Sequence, residues 1–386
     1  MADDAPPSSH RLPTVSASQA LQGLHARARA VPTGLMQLDQ LLAPPSLPGQ
    51  PVAGGWARGK VAEVYGPPGV GKTALLLQAA ARALGDGQHV YWIDGAGAPL
   101  VAPRLDDMLN SPTDTMLDSP TLDSPTATPA STADQRRRFH CLAAPTLAHV
   151  LALFVHPPPS FPRPGTSLVV VDSLSTLVDN AYPRTDDRAR KTDQSKWAAA
   201  RRYAVVTDLI AALSRTAAQH DIAVVVTCQT ITRIRGPSRA LLVPAMAGVE
   251  WENGVSARVL LFRDWVPARD APEAARLQKT RFAGLVKRRG VALADEGGVG
   301  CVVPFAIERH GLCDINLTTD DTATTMVLPI QPRPPKRSFD DVDENEEPNS
   351  DDVYGWIEDD AVAAEGLIND VPSEGRGPKA LRTSSD

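Results

Sequence analysis

Residues 66–73 read Gly66-Pro67-Pro68-Gly69-Val70-Gly71-Lys72-Thr73, which matches G-x-x-x-x-G-K-[ST] at each fixed position. The chemistry of that spacing is phosphate binding. Glycines let successive backbone N–H groups converge on phosphate oxygens, and a helix opening at the end of the motif adds partial positive charge. Lys72 is then expected to reach the β- and γ-phosphates, and the Thr73 hydroxyl to ligate Mg²⁺. The plain alternative is a Gly/Pro turn before an ordinary helix. A metal shared with phosphates needs a further carboxylate. Leu168-Val169-Val170-Val171-Asp172 offers one at the end of an apolar run, so Asp172 is expected to hold Mg²⁺ directly or through water, from a strand next to the one that carries the phosphate loop. An Asp in that position can also simply cap the segment that follows.

The elements around these residues have the right order. Val61–Tyr65 is predicted as a strand and Thr73–Leu84 as a helix, with Gly85 as its C-cap. With their flanks these fall in a set of strands expected at 60–65, 88–94, 167–172, 222–229, 257–263, 280–287 and 301–309, and of helices at 72–84, 147–154 and 194–219. The runs Leu168–Val171 and Ile222–Val226 are almost wholly apolar, as central parallel strands covered on both faces are. Alternating strands and helices predict one α/β domain with a mostly parallel sheet.

Composition sets the limits. There are 35 prolines in 386 residues, nearly twice the usual share of about 5%, so long segments should be irregular. The predicted organisation is a flexible segment over 1–30, a core over 31–330 and an acidic disordered tail over 331–386. Within the core, 106–135 is expected to be a disordered insertion, because Leu117–Thr121 is repeated directly as Leu122–Thr126 and carries little apolar surface to offset its chain entropy. The tail holds 15 acidic and 6 basic side chains, which leaves 30 acidic and 33 basic over the rest. The net charge of −6 therefore hides a slightly basic body. No apolar run is long enough to span a membrane, and the opening MADDAPPSSH lacks the basic and apolar regions of a signal peptide. Four cysteines without a CxxC pair suit a reducing compartment, cytosol or nucleus.

Five stretches, in order, resemble the RecA family of strand-exchange ATPases, specifically its eukaryotic recombinase-paralogue branch. They are Pro32–Leu42, with Thr33-Gly34 and Leu38-Asp39; Gly59–Tyr65; the phosphate loop; Val226-Thr227-Cys228-Gln229, with Cys228 where the family usually has Asn; and Gly248–Arg258, with Trp251 and Arg258. The resemblance covers roughly residues 31–315. It implies a RecA-like P-loop ATPase core that binds ATP and Mg²⁺, with Gln229 as a polar sensor of the γ-phosphate. It implies two loops that bind single-stranded DNA. The first is 179–196, with Arg184, Arg188, Arg190, Lys191 and Lys196; the second is 230–249, with Arg233, Arg235 and Arg239. Both are polar, flexible and basic, as phosphate-tracking loops should be, although single loop arginines are often just solvated. Trp251 reads as a packing anchor, and Lys287-Arg288-Arg289 as an exposed strand end.

Two departures from the family carry as much weight. Its second core strand usually ends I-D-x-E-G, with the Glu activating water; here Ile93-Asp94-Gly95-Ala96-Gly97 puts Ala96 there. Loss of a positioned base typically costs about 10²–10⁴-fold in rate, so nucleotide binding is expected without efficient hydrolysis. The first Phe is Phe139, so no F-x-x-A assembly segment of the family's kind is expected before the core, and a hetero-oligomer is expected over a self-assembled filament. The resemblance thus implies a nuclear accessory subunit of homologous recombination that binds single-stranded DNA and a RecA-family recombinase or second paralogue. An autonomous DNA-dependent ATPase performing strand exchange, or a RecA-fold protein with no DNA role, are the alternatives.

Overall fold

A computed structural model describes residues 30–45, 54–95, 97, 101–110, 131–183, 193–235, 239–264, 279–295 and 298–315. In chain order its elements are β1 (Ala30–Val31), α1 (Met36–Leu42), β2 (Trp56–Ala57), β3 (Val61–Tyr65), α2 (Lys72–Gly85), β4 (His89–Asp94), α3 (Val101–Leu109), α4 (Thr132–Arg138), β5 (Phe139–Ala143), α5 (Leu147–Val155) and β6 (Thr166–Asp172). They continue with α6 (Leu174–Ala181), α7 (Asp193–His220), β7 (Ala223–Cys228), β8 (Thr230–Arg235), β9 (Arg239–Pro244), α8 (Val249–Gly254), β10 (Val255–Phe262), β11 (Arg281–Arg288), β12 (Val291–Ala292), β13 (Val302–Glu308) and β14 (Gly311–Asp314).

Ten strands form one sheet in the order β14-β13-β11-β10-β3-β7-β6-β4-β5, with β12 paired to β11. From β5 to β10 the pairings are parallel, and from β10 outward they are antiparallel. This is the predicted α/β architecture with a mostly parallel centre. Alternation along each strand divides the core into two layers. Ala62 and Val64 of β3 and Val170 of β6 face α1, α2 and α3, where Leu38, Leu75, Leu76 and Leu105 fill the space. Val61 and Tyr65, with Val169 and Val171, face α5, α6, α7 and α8 through Val150, Leu174, Leu209 and Trp251. Every residue of β3, β6 and β7 is buried, which explains why these strands lack alternation in the sequence.

Several expectations need correction. β6 is not next to β3; β7 lies between them. Helix α2 runs through Gly85, and the residue with positive φ is Gly87 (φ 76°). The Gln88 and Gly87 amides close the helix onto the Ala83 and Leu84 carbonyls, as a left-handed glycine just past a helix end allows. Both ends of the insertion expected over 106–135 are structured instead, because Asp106 belongs to α3 and α4 begins at Thr132. Asp106 also forms an ion pair with Arg136, and Ser131 caps α4 by accepting from the Asp134 amide. Residues 111–130, the expected N-terminal segment up to residue 29, the tail, and the last part of the expected core lie outside the described residues; Ala30 belongs to β1.

Strand β5 went unpredicted. Phe139-His140-Cys141-Leu142-Ala143 has no β-branched residue, and it is held by pairing with β4 at the sheet edge. The stretch expected to be a flexible second loop is instead a two-stranded hairpin, β8 paired with β9 from Thr230↔Pro244 to Arg235↔Arg239. Ile231 pairs with Val243 and Arg233 with Leu241, so apolar and basic residues share a face and no strand period is legible in this basic, polar stretch. Among the described residues no helix is long and apolar enough to cross a membrane.

Candidate nucleotide site

The phosphate loop leaves the carboxyl end of β3 and turns into α2. Gly71 caps that helix with φ 107°, and Gly69 has φ 74°, both in the left-handed region that favours glycine. Two of the glycines are also required by space. A Cβ on Gly66 would sit 2.2 Å from the Leu261 carbonyl oxygen, and one on Gly71 would sit 2.4 Å from Ile307 Cδ1. Pro68 and Gly69 are exposed at the crest of the loop, while its two ends are tight against β10 and β13.

Lys72 turns back over the loop. Its Nζ donates to the Gly66 carbonyl at 2.7 Å, to the Pro67 carbonyl at 3.0 Å and to Gln229 Oε1 at 3.1 Å. Burial lowers its pKa, opposed by the nearby Asp172 carboxylate. A desolvated ammonium resting on neutral carbonyls stands to gain from an anion, since charge-assisted hydrogen bonds are about twice as strong as neutral ones. Thr73 Oγ1 donates to Asp172 Oδ2 at 2.7 Å, and the Thr227 hydroxyl donates to Asp172 Oδ1. The sequence thus places Lys72, Thr73, Asp172 and Gln229 apart by up to 157 positions, and the fold gathers them at the carboxyl edge of β3, β6 and β7. Open α/β sheets bind ligands at that edge. A hydroxyl and a carboxylate in contact at the helix start are a fitting hard-oxygen donor set for Mg²⁺, and the amides of 69–73 fit the polyphosphate.

Two supporting residues escaped the sequence reading. Thr227 orients Asp172 from the intervening strand, and Ser175 Oγ accepts from the Gln229 amide at 2.8 Å. Thr227 stood inside the Val226–Gln229 stretch, but no local signal showed that its hydroxyl would face Asp172. Ala96 lies outside the described residues. Asp94, at the end of β4, accepts from the Gly97 amide at 2.9 Å.

A buried ionic network lies behind the site. Arg258 Nε donates to Glu63 Oε2 at 2.6 Å, and Arg258 Nη1 donates to both Glu252 oxygens at 2.8 and 2.7 Å. Trp251, fully buried, points Nε1 at Glu63 Oε2 (3.4 Å), which gives the expected packing anchor a polar partner as well. Lys287 Nζ donates to the Glu252 carbonyl and Arg288 to the Leu41 carbonyl. The basic cluster expected to be an exposed strand end is therefore partly internal. Burial, and the Glu63 carboxylate beside it, push the Cys228 thiol well up, so it stays neutral and unreactive.

The expected DNA-contacting residues are less fully placed. Arg184, Arg188, Arg190 and Lys191 lie outside the described residues. Arg233 is half-buried on β8, and Arg235 and Arg239 form the last pair of the hairpin ladder. The hairpin starts directly after Gln229, at the same sheet edge as the phosphate loop.

No family model matches the chain. Over 133 residues it is 29% identical to the DNA repair protein rhp55 of Schizosaccharomyces pombe, a match covering 34% of this chain and 36% of that one. Over 92 residues it is 39% identical to Protein RecA of Xylella fastidiosa, covering 22% and 24%, and Protein RecA of Xanthomonas euvesicatoria is 38% identical over 91 residues. The matches thus span about a third or a quarter of these curated relatives. Among solved structures, the RadB recombinase aligns over 74% of this chain and 100% of that one, with 23% identity and a TM-score of 0.44.

Proposed function

We propose that this chain, a distant relative of the RecA-family recombinases, is an ATP-binding recombinase paralogue that assists homologous-recombination DNA repair in the nucleus. It binds Mg²⁺-ATP through Gly66–Thr73, with Thr73 and Asp172 holding the metal and Gln229 facing the terminal phosphate. It binds single-stranded DNA through the basic segments after β6 and β7, and it works beside a related recombinase subunit. The observation that carries this reading is the convergence of Lys72, Thr73, Asp172 and Gln229 on one sheet edge within hydrogen-bonding distance.

The chain's own residues do the following. The loop amides and Lys72 bind and orient the phosphates. Thr73 and Asp172 fix the metal, which supplies charge neutralisation to the β- and γ-oxygens when bound. Lys72 contacts Gln229 across this site, and Gln229 leads straight into the hairpin, so occupancy that draws Lys72 to a phosphate releases the amide at the hairpin base. With Ala96 at the usual Glu position, hydrolysis is weak or absent, which favours an accessory role over autonomous strand exchange.

The test is titration of the purified chain with Mg²⁺-ATP and with single-stranded DNA, alone and beside a RecA-family recombinase recovered with it from cells. Nucleotide binding, with DNA binding that changes on adding ATP, supports the reading. An absence of nucleotide binding removes it.

A further inference from the structure

Two arginines that no motif singled out flank the phosphate loop. Phe262 of β10 pairs with Phe282 of β11, their rings stacked at 5.4 Å. The next residues outward are Arg263 and Arg281, which brings two guanidiniums side by side at the mouth of the strands. Like charges placed opposite each other across a ladder are destabilising. Arg263 Nη2 reaches over the loop to donate to the Gly69 carbonyl at 3.2 Å. Arg281 lies against the end of the loop, its Cδ 3.9 Å from where a Cβ on Gly71 would sit. Arg281 Nη1 donates to the Lys279 carbonyl at 3.0 Å, while its Nε is shut off from solvent and has no hydrogen-bond partner. Burial and the neighbouring Arg263 both lower the Arg281 pKa. Among the described residues no carboxylate pairs with either guanidinium.

Arg281 is half-buried, with its Nε alone shut off from solvent, and a guanidinium held beside a second cation gains from an anion, to which its hydrogen bonds are about twice as strong as to a neutral acceptor. The missing element is an anion, and the adjacent loop is built to hold one. We propose that Arg263 and Arg281 form a second wall of the nucleotide site, donating to polyphosphate oxygens from the β10–β11 side while Lys72 and the loop amides hold them from the α2 side. Guanidiniums suit this because their planar fork matches phosphate oxygens in pairs. The proposal rests on the nucleotide reading above and adds to it residues outside the phosphate-loop motif. The loop itself contains a single cation, Lys72, and the two arginines raise the positive charge facing the phosphates to three.

The experiment is calorimetric titration of the full chain with Mg²⁺-ATP, run on wild type, Lys72→Ala, Arg263→Gln, Arg281→Gln and Arg281→Lys, with thermal melts as a folding control. Each Gln variant should weaken ATP binding by about tenfold or more. Arg281→Lys should recover only part of the loss, because the charge returns without the fork. Arg263 is exposed, so Arg263→Gln keeps the test valid if Arg281→Gln fails to fold. ATP affinity within twofold of wild type in the folded Gln variants overturns the proposal. So does a selective loss of single-stranded DNA affinity with ATP binding intact, which would assign the pair to nucleic-acid phosphates. Failure of the nucleotide reading looks different: wild type and Lys72→Ala would both show no ATP binding, and the proposal would fall with that reading.

Discussion

Thr73 Oγ1, on the helix that follows β3, lies 2.7 Å from Asp172 Oδ2 at the end of β6, although β3 and β6 are not neighbours. Strand β7 runs between β3 and β6, and its Thr227 hydroxyl donates to the other Asp172 oxygen. The carboxylate is thus held from two sides by hydroxyls on two different elements, which fixes its plane toward the start of α2. Removing the second hydroxyl tests whether that orientation matters. Thr227→Val keeps the shape and should cost about 1 kcal/mol of stability, the usual worth of one hydrogen bond. Its larger effect should be on metal: ATP affinity in Mg²⁺ should fall several-fold, with affinity in EDTA little changed. An equal loss in both conditions would show that Thr227 supports the fold alone.

Lys72→Ala should abolish detectable ATP binding and leave the melting temperature within a few degrees. Among the described residues the ammonium donates to the Gly66 and Pro67 carbonyls and to Gln229, and taking a desolvated charge out of the protein offsets part of what those contacts contribute. Equal binding of labelled ATP by both proteins would remove the phosphate-loop assignment.

The motif residues were legible because their chemistry is local: eight consecutive positions encode a turn, a helix start and two ligands. Asp172 was legible because a carboxylate after four apolar residues marks the end of a buried strand. The arrangement of strands was not, since nothing within Leu168–Asp172 or Ala223–Cys228 states which of them lies against β3. Strand β5 was hidden for a related reason: its residues are strand-forming only through pairing with β4, and β propensity depends on context more than helix propensity does. The Glu63–Arg258 pair joins positions 195 apart and had no signal beyond Arg258 standing in the Gly248–Arg258 stretch.

Arg258→Met should destabilise the chain by about 3–5 kcal/mol, because it strands the fully buried Glu63 carboxylate without a counter-ion. Adding Glu63→Gln should recover much of that loss, since the uncompensated charge goes with it. Denaturant unfolding of the two single variants and the double variant measures the coupling. Additive losses would mean that the ion pair contributes nothing as a pair.

Asp39 gives a pH signature. Burial raises its pKa from 3.8 to about 6, against the lowering effect of the Thr33 hydrogen bonds, with Asp314 adding repulsion. The folded state therefore holds this proton more tightly than the unfolded chain. The stability it brings is complete below about pH 4 and is lost as pH rises through about 6. A shift of some two units corresponds to at most about 3 kcal/mol. Asp39→Asn keeps an acceptor for the Thr33 amide, which Asp39 Oδ1 now meets at 2.8 Å, so it should raise the melting temperature at pH 7. It should leave the value near pH 4 almost unchanged. A variant curve parallel to wild type from pH 4 to 7 would contradict the assignment.

The last prediction concerns DNA and the acidic tail. If the hairpin tracks phosphates, each neutralised phosphate adds about −0.7 to the slope of log K against log[salt] on single strands. Replacing Arg233, Arg235 and Arg239 with Ala should therefore weaken binding and flatten the slope by roughly 2. Residues 331–386 carry 15 acidic and 6 basic side chains and form a polyanion tethered to the same chain, able to compete for the same cations. Their removal should tighten DNA binding, most strongly below about 0.1 M salt, where the screening length exceeds about 10 Å. The two effects are linked, because the tail can compete only where cations are available. In the triple-Ala background, deletion of the tail should then give a smaller gain than in wild type. An equal gain in both backgrounds would place the tail's target elsewhere on the basic body, and an unchanged slope in the triple variant would remove the hairpin from the DNA site.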